Sequence, residues 1–342
     1  MELPASAPDP VRGARAPRPA GPRLIVTVLA ALSLLAGALA VTGAAGAYRY
    51  VQTFWLYRGF AAPRLAHSVT VRRHGQRRRV HVVVPSVQTI TVTSPALDGF
   101  KDRVIVVLPP GYASHPWQYY PVLYLLHGYP GQPSNFLTVG DVADIEATLV
   151  AQGKMAPLIL VIPTGTRAFL SDEEWANNVR PGNDWETFVA RDLVKAIDGR
   201  YRALTGRRDR GLAGLSEGGY GALNIGLHHP SEFGLLESWS GYMQADLKPA
   251  LFDHNRALQR YNSPADWAPK VASKLRSYRT DIWFYCGSSD GLAVQDRAFA
   301  AELTALGIRH TFFEHPGRHD WSLWRALMPQ ALMTASELLG HG

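Results

Sequence analysis

Arg210-Gly-Leu-Ala-Gly-Leu-Ser216-Glu-Gly-Gly-Tyr-Gly-Ala222 is the stretch on which the reading of this chain turns. Arg210 to Gly214 reads as a buried strand, and Gly219 to His229 as a helix rich in small residues. Between them lies Gly214-Leu-Ser216-Glu-Gly218, a G-x-S-x-G pattern in the strand–turn–helix setting that gives the pattern meaning. A sharp turn pushes the Ser216 hydroxyl out of the sheet. Glycines two before and two after it remove Cβ atoms that would collide there. The helix that follows aims backbone N–H groups and its positive dipole end at the same point. Gly219 and Gly221 are expected to let that helix close on the sheet.

Working outward, apolar runs recur at Val104–Leu108, Val122–Leu126, Leu158–Ile162, Ile282–Cys286 and, shorter, Thr311–Glu314. Helical stretches separate them: Val142–Gln152, Trp185–Tyr201 and Asp296–Leu306. Continuous apolar strands alternating with helices predict a mostly parallel central sheet covered on both faces. With the elbow, this is the α/β-hydrolase fold class, placed over residues 87–342.

A serine hydroxyl is a poor nucleophile until a base takes its proton. The base needs a carboxylate to orient it, and the developing oxyanion needs donors. In this fold the chain order is serine, acid, histidine. Asp290, in Gly287-Ser-Ser-Asp290 after the Ile282–Cys286 strand, is the candidate acid, with Glu314 a weaker alternative. His319, on the loop between Thr311–Glu314 and a terminal helix, is the candidate base, with His315 second. His228 and His229 sit too far along the elbow helix to reach Ser216. The turn His127-Gly-Tyr-Pro-Gly131, after the Val122–Leu126 strand, is expected to supply one oxyanion donor from the backbone N–H of Tyr129. The N–H of Glu217 supplies the second, and His127 is expected to orient that turn.

These residues resemble the esterase D group of α/β-hydrolases, which includes feruloyl and acetylxylan esterases, S-formylglutathione hydrolase and secreted mycolyltransferases. The resemblance rests on Pro121-Val-Leu-Tyr-Leu-Leu-His-Gly128, on Gly211-Leu-Ala-Gly-Leu-Ser-Glu-Gly-Gly-Tyr-Gly-Ala222 and on Gly317-Arg-His-Asp-Trp-Ser-Leu-Trp324. Phe100-Lys-Asp-Arg-Val-Ile-Val-Val-Leu-Pro-Pro-Gly-Tyr112 is similar to the family's opening strand. It implies the same roles: Ser216 nucleophile, Asp290 acid, His319 base. His127-Gly128 is closer to the feruloyl-esterase-like members than to mycolyltransferases. The expected activity is carboxylic-ester hydrolysis through an acyl-serine, with acyl transfer onto envelope sugars or lipids as the alternative. A non-catalytic binding protein on the same scaffold is the third reading.

Charge is unevenly spread over the 342 residues. Residues 1–83 hold twelve Arg against Glu2 and Asp9, while the remainder holds 23 Lys plus Arg against 26 Asp plus Glu. The large domain is therefore not basic, which argues against nucleic acid as a partner. One cysteine, Cys286, allows no intrachain disulfide and reads as a buried core residue. No metal-ligand spacing or nucleotide loop appears, so no cofactor and no metal is expected.

The N-terminal 1–23 reads as a disordered basic segment. Residues 24–47 read as a membrane anchor or signal segment, uncharged throughout and long enough to span. The expectation is a single-pass membrane protein with its catalytic domain outside the cytoplasm, or a secreted one if cleaved after Ala47. Residues 48–86 read as a linker with a hairpin whose tip carries Arg72, Arg73, Arg77, Arg78 and Arg79. Two further expectations concern substrate. The polar loop around Trp175 and Asn178 is expected to border the cleft. The stretch Gly241 to Lys270 is expected to form an irregular lid that shapes specificity.

Overall fold

The computed structural model describes residues 68–73, 76–168, 171, 173–245 and 249–340. All of them fall in the compact unit Trp55–Gly342. The expected basic N-terminus and the expected membrane segment at 24–47 lie outside the described residues. Among the described residues, no helix is long and apolar enough to cross a membrane.

Strands β1 (Ser68–Arg73) and β2 (Gln76–His81) pair antiparallel, with Arg73 opposite Gln76, as a ribbon separate from the main sheet. The main sheet has eight strands: β3 (Ser86–Ser94), β4 (Phe100–Leu108), β5 (Val122–Leu126), β6 (Ile159–Ile162), β7 (Arg210–Leu215), β8 (Leu235–Trp239), β9 (Asp281–Gly287) and β10 (His310–His315). They lie in the order β10-β9-β8-β7-β5-β6-β4-β3. From β10 to β6 every neighbouring pair is parallel, while β4 runs antiparallel to both β6 and β3.

Side-chain alternation explains how this sheet is covered. In β5, Val122, Tyr124 and Leu126 enter one apolar cluster, and Leu123 and Leu125 enter the other. In β9, Ile282 and Phe284 go one way, Trp283 and Tyr285 the other. A strand buried on both faces cannot alternate polar with apolar, so it reads as a continuous apolar run. Helices Glu217–His228, Pro264–Tyr278 and Ala293–Ala305 contribute to the first cluster, as does the run from Trp185 to Arg200. Helices Val142–Gln152 and Trp321–Leu338 contribute to the second.

The helical run expected from Trp185 is present as far as Arg200, with residues Phe188–Leu193 a π-helical turn between two α-helical pieces. One expectation needs correction. The stretch after β8 is not irregular throughout. It holds helices Arg256–Tyr261 and Pro264–Tyr278, the second started by Ser263 with proline at its first position, where a missing N–H costs nothing.

Glu146 is fully buried in helix Val142–Gln152, where one carboxyl oxygen accepts from the Leu158 N–H at 2.8 Å and so ties the helix to the start of β6. Its other oxygen has no hydrogen-bond partner. Burial pushes its pKa up to about 8, against the lowering effect of the Leu158 N–H. The folded chain thus keeps a proton there that an unfolded glutamate releases near 4.5. Between those values the unfolded state binds fewer protons, so stability falls as pH rises. Glu146→Gln is expected to melt with wild type at about pH 4 and above it at about pH 9. Thermal melts that shift equally at both ends would show that Glu146 is not protonated in the native state.

Candidate active site

The elbow comes first because its backbone is the most constrained. Ser216 sits at φ +56°, ψ −123°, a conformation L-residues avoid at a cost of roughly 1–3 kcal/mol. Neighbouring backbone holds it there. The Ser216 N–H donates to the Trp239 carbonyl at the end of β8, at 2.9 Å. The Ser216 carbonyl accepts from the N–H groups of Gly219 and Tyr220, which starts the helix. The flanking glycines are obligatory for space. A Cβ on Gly214 would meet the Gly218 backbone, and one on Gly218 would meet the Leu126 carbonyl.

The loops after β9 and β10 bring acid and base together. Ser288 N–H donates to His315 O and Ser289 N–H to Gly317 O, both at 2.9 Å, which fastens the two loops side by side. His319 Nδ1 then lies 2.8 Å from Asp290 Oδ2, and His319 Nε2 lies 2.8 Å from Ser216 Oγ. The other Asp290 oxygen accepts from the Leu292 N–H at 3.0 Å. Burial alone would raise the Asp290 carboxyl. The hydrogen bond to His319 and its charge, with the Leu292 N–H, outweigh burial and hold it below the usual carboxylate range. The His319 ring meets the edge of Trp324 at 5.1 Å, and Asp320 caps helix Trp321–Leu338 through the N–H groups of Ser322 and Leu323. The histidine loop is thus anchored immediately after its functional residue.

The turn after β5 completes the cluster. A Cβ on Gly128 would stand 2.8 Å from the Ser216 Cβ, so only glycine lets this turn approach the serine. Tyr129 follows directly, and Glu217 is the next residue after the serine. His127 is buried, with Nε2 at 2.6 Å from the Thr164 carbonyl. Burial lowers its pKa although the Thr164 and Gly128 carbonyls act in the opposite sense. The ring stands between these two carbonyls, Nδ1 at 3.1 Å from Gly128 O, and so ties the turn to the loop at Thr164. All these groups stand at the carboxyl ends of β5, β7, β9 and β10, where open α/β sheets bind ligands.

Other expected residues lie elsewhere. Trp175 does not border the cleft. It is fully buried, its indole N–H donates to the His127 carbonyl at 3.0 Å, and its ring fills the space left by Gly221 and Gly165. Gly221 thus serves Trp175 rather than the sheet, whereas Gly219 faces Ser238 of β8. Asn178 is also internal: its amide donates to Glu173 and its carbonyl accepts from the Arg180 N–H. It braces its own loop. His228 and His229 both bind the buried Glu186. His315 Nδ1 lies 2.8 Å from the Pro316 carbonyl, and Glu314 pairs with Arg297. Cys286 is buried. Sequence reasoning missed Ser240, buried at φ +54° just after β8, where its N–H donates to the Tyr285 carbonyl of β9 at 2.7 Å. Its signal was a serine at the end of β8, next to the elbow's strand.

A family model described as "Putative esterase" matches residues 94–335. The chain belongs to this esterase family. The matched span contains the elbow, the acid loop, the histidine loop and the turn at Tyr129. Among curated relatives, the Mycobacterium tuberculosis esterase Rv1288 is 29% identical over 251 residues, covering 65% of this chain and 53% of its own length. An uncharacterized Corynebacterium glutamicum protein is 25% identical over 246 residues, covering 69% and 57%. The chain therefore spans about half the length of these two relatives. Among solved structures, a ferulic acid esterase superposes with a TM-score of 0.68 at 28% identity, covering 75% of this chain and all of the other. The esterase-family fold also extends to the MPT51 protein of M. tuberculosis, with a TM-score of 0.54 at 19% identity.

Proposed function

We propose that this esterase-family chain hydrolyses carboxylic esters through an acyl-Ser216 intermediate. The observation that carries the reading is His319 standing 2.8 Å from both Ser216 Oγ and Asp290 Oδ2. With Asp290 ionised, His319 Nδ1–H donates to it and Nε2 is left as the acceptor for the serine proton. Ser216 Oγ then attacks the ester carbonyl. The tetrahedral oxyanion is received by the backbone N–H groups of Tyr129 and Glu217. His319 returns the proton to the leaving alcohol, and water repeats the sequence to release the acid.

Small acyl or feruloyl-type esters carried on sugars or envelope components are the proposed substrate class, supported by the likeness to a ferulic acid esterase. The test is labelling with a fluorophosphonate probe, followed by an ester panel with and without a sugar acceptor. Expected results are label on Ser216 and free acid as the main product. Acyl-sugar outpacing free acid would move the reading to acyl transfer, and no label at all would move it to a binding protein.

We also propose that residues 24–47 place this domain outside the cytoplasm. Their uncharged length supports it. In intact cells, added protease is expected to degrade the domain, or the domain is found in the medium. A domain that stays protected until the cells are lysed would reject the placement.

A further inference from the structure

At the opposite end of the sheet from Ser216, a cavity of about 340 Å³ opens between the starts of β7, β8, β9 and β10. Its charged lining is Arg207, Arg208, Arg279, Arg309, Asp281 and Glu337. Gly234 makes its floor possible, since a Cβ there would stand 2.9 Å from the Arg207 carbonyl and 3.0 Å from the Arg208 Cα. The six residues of β7 separate it from the catalytic serine by roughly 20 Å.

Four arginines in one small cavity are out of keeping with a domain in which acidic residues outnumber basic ones. They also converge. All four guanidinium groups lie near enough to act on the Asp281 carboxylate. Only Arg309 pairs with it directly, at 2.8 Å. Arg207 is committed to the carbonyls of Phe233 and Tyr278. Burial chiefly, and then the charge of Arg208, depress its pKa, while Tyr278 and Asp281 act in the opposite sense. Arg208 and Arg279 are exposed, and neither has an ion-pair partner among the described residues. Four guanidiniums against two carboxylates leave a net charge near +2. That is the charge a phosphate monoester dianion neutralises, and forked guanidinium donors match phosphate oxygens bidentately. The volume is at the small end for ligand sites, which suits a phosphate with a short appendage rather than a long polymer.

We infer that this cavity is a binding site for a phosphate-bearing ligand, separate from the ester-cleaving centre and independent of the reading given to it. The phosphate could belong to a soluble monoester or to the diester of a lipid headgroup. Two probes separate these sources: glycerol 3-phosphate for the monoester and glycerophosphoglycerol for the diester, titrated calorimetrically into the full chain held in neutral detergent.

Saturable binding of at least one probe is expected. Tighter binding of the monoester assigns a soluble ligand, and binding of the diester at least as tight assigns a headgroup. The double substitution Arg208→Ala with Arg279→Ala is expected to weaken binding by about tenfold or more, because each removes a charge-assisted contact. Hydrolysis of a soluble aryl ester by that variant should stay within about twofold of wild type, which also reports that it folds. Glu337→Gln, at an exposed position, is expected to tighten binding by removing a repelling charge. The inference is overturned if neither probe binds saturably, if the double variant binds as tightly as wild type, or if Glu337→Gln binds more weakly.

Discussion

Replacing Ser216 with alanine is expected to lower kcat on a soluble aryl ester by roughly 10⁴- to 10⁶-fold, with little change in melting temperature. The loss is large because the hydroxyl is the atom to be acylated, and it is the group that His319 Nε2 contacts, at 2.8 Å. The fold should survive for a local reason. Alanine meets the φ of +56° with the same Cβ as serine, and the N–H and carbonyl contacts of residue 216 are made by backbone. Steady-state kinetics and a thermal melt on the same preparation check both halves. Full activity in the variant would remove Ser216 from the chemistry.

Asp290→Asn is the second large effect, expected to cost on the order of 10⁴-fold in kcat, as for the acid-to-amide change in serine proteases. The geometry explains why an isosteric change does so much. Both oxygens of Asp290 accept, one from His319 Nδ1–H and the other from the Leu292 N–H. An amide offers one acceptor and one donor. If the amide oxygen stays with Leu292, the NH₂ group faces Nδ1 and favours the imidazole tautomer whose proton is on Nε2. That tautomer cannot take the serine proton. If the amide flips, its NH₂ opposes the Leu292 N–H and the acid loop must move. KM should change little, since the carboxylate touches the base and not the ester. A loss in kcat below about tenfold would show that Asp290 is not the orienting acid.

Much of this site could be read before the structure because its constraints are local. Gly214 and Gly218 are required by the backbone of one turn, and a strict turn leaves a strict pattern. The buried strands were legible because both of their faces must be apolar. The misreadings share the opposite cause. Trp175 looks like a cleft residue in a polar loop, yet its place is set by the absence of side chains at Gly221 and Gly165, distant in sequence. Edge strand β3 left little hydrophobic signal, because most of its residues face solvent and it is held by pairing with β4. Within β8, Glu237 and Ser238 interrupt the apolar run, although both are buried and Glu237 accepts from the Trp239 indole. The π-helical turn at Phe188–Leu193 has no marker in the residue types. The arginine cavity escaped for a related reason: its four members come from three separate loops and acquire a common meaning only where the strands begin.

The position of β10 has an operational consequence. It is the outermost strand, bonded on one side only, to β9, and the histidine is carried on the loop that leaves it. The serine, by contrast, sits near the middle of the sheet, where neighbours on both sides hold its strand. Edges open at lower free energy than centres. Warming should therefore disengage the base while the body of the molecule is still intact, and cooling should restore it without a full refolding cycle. Activity is then expected to fall at a lower temperature than the global melt, which a thermal activity profile and a melt on one preparation compare.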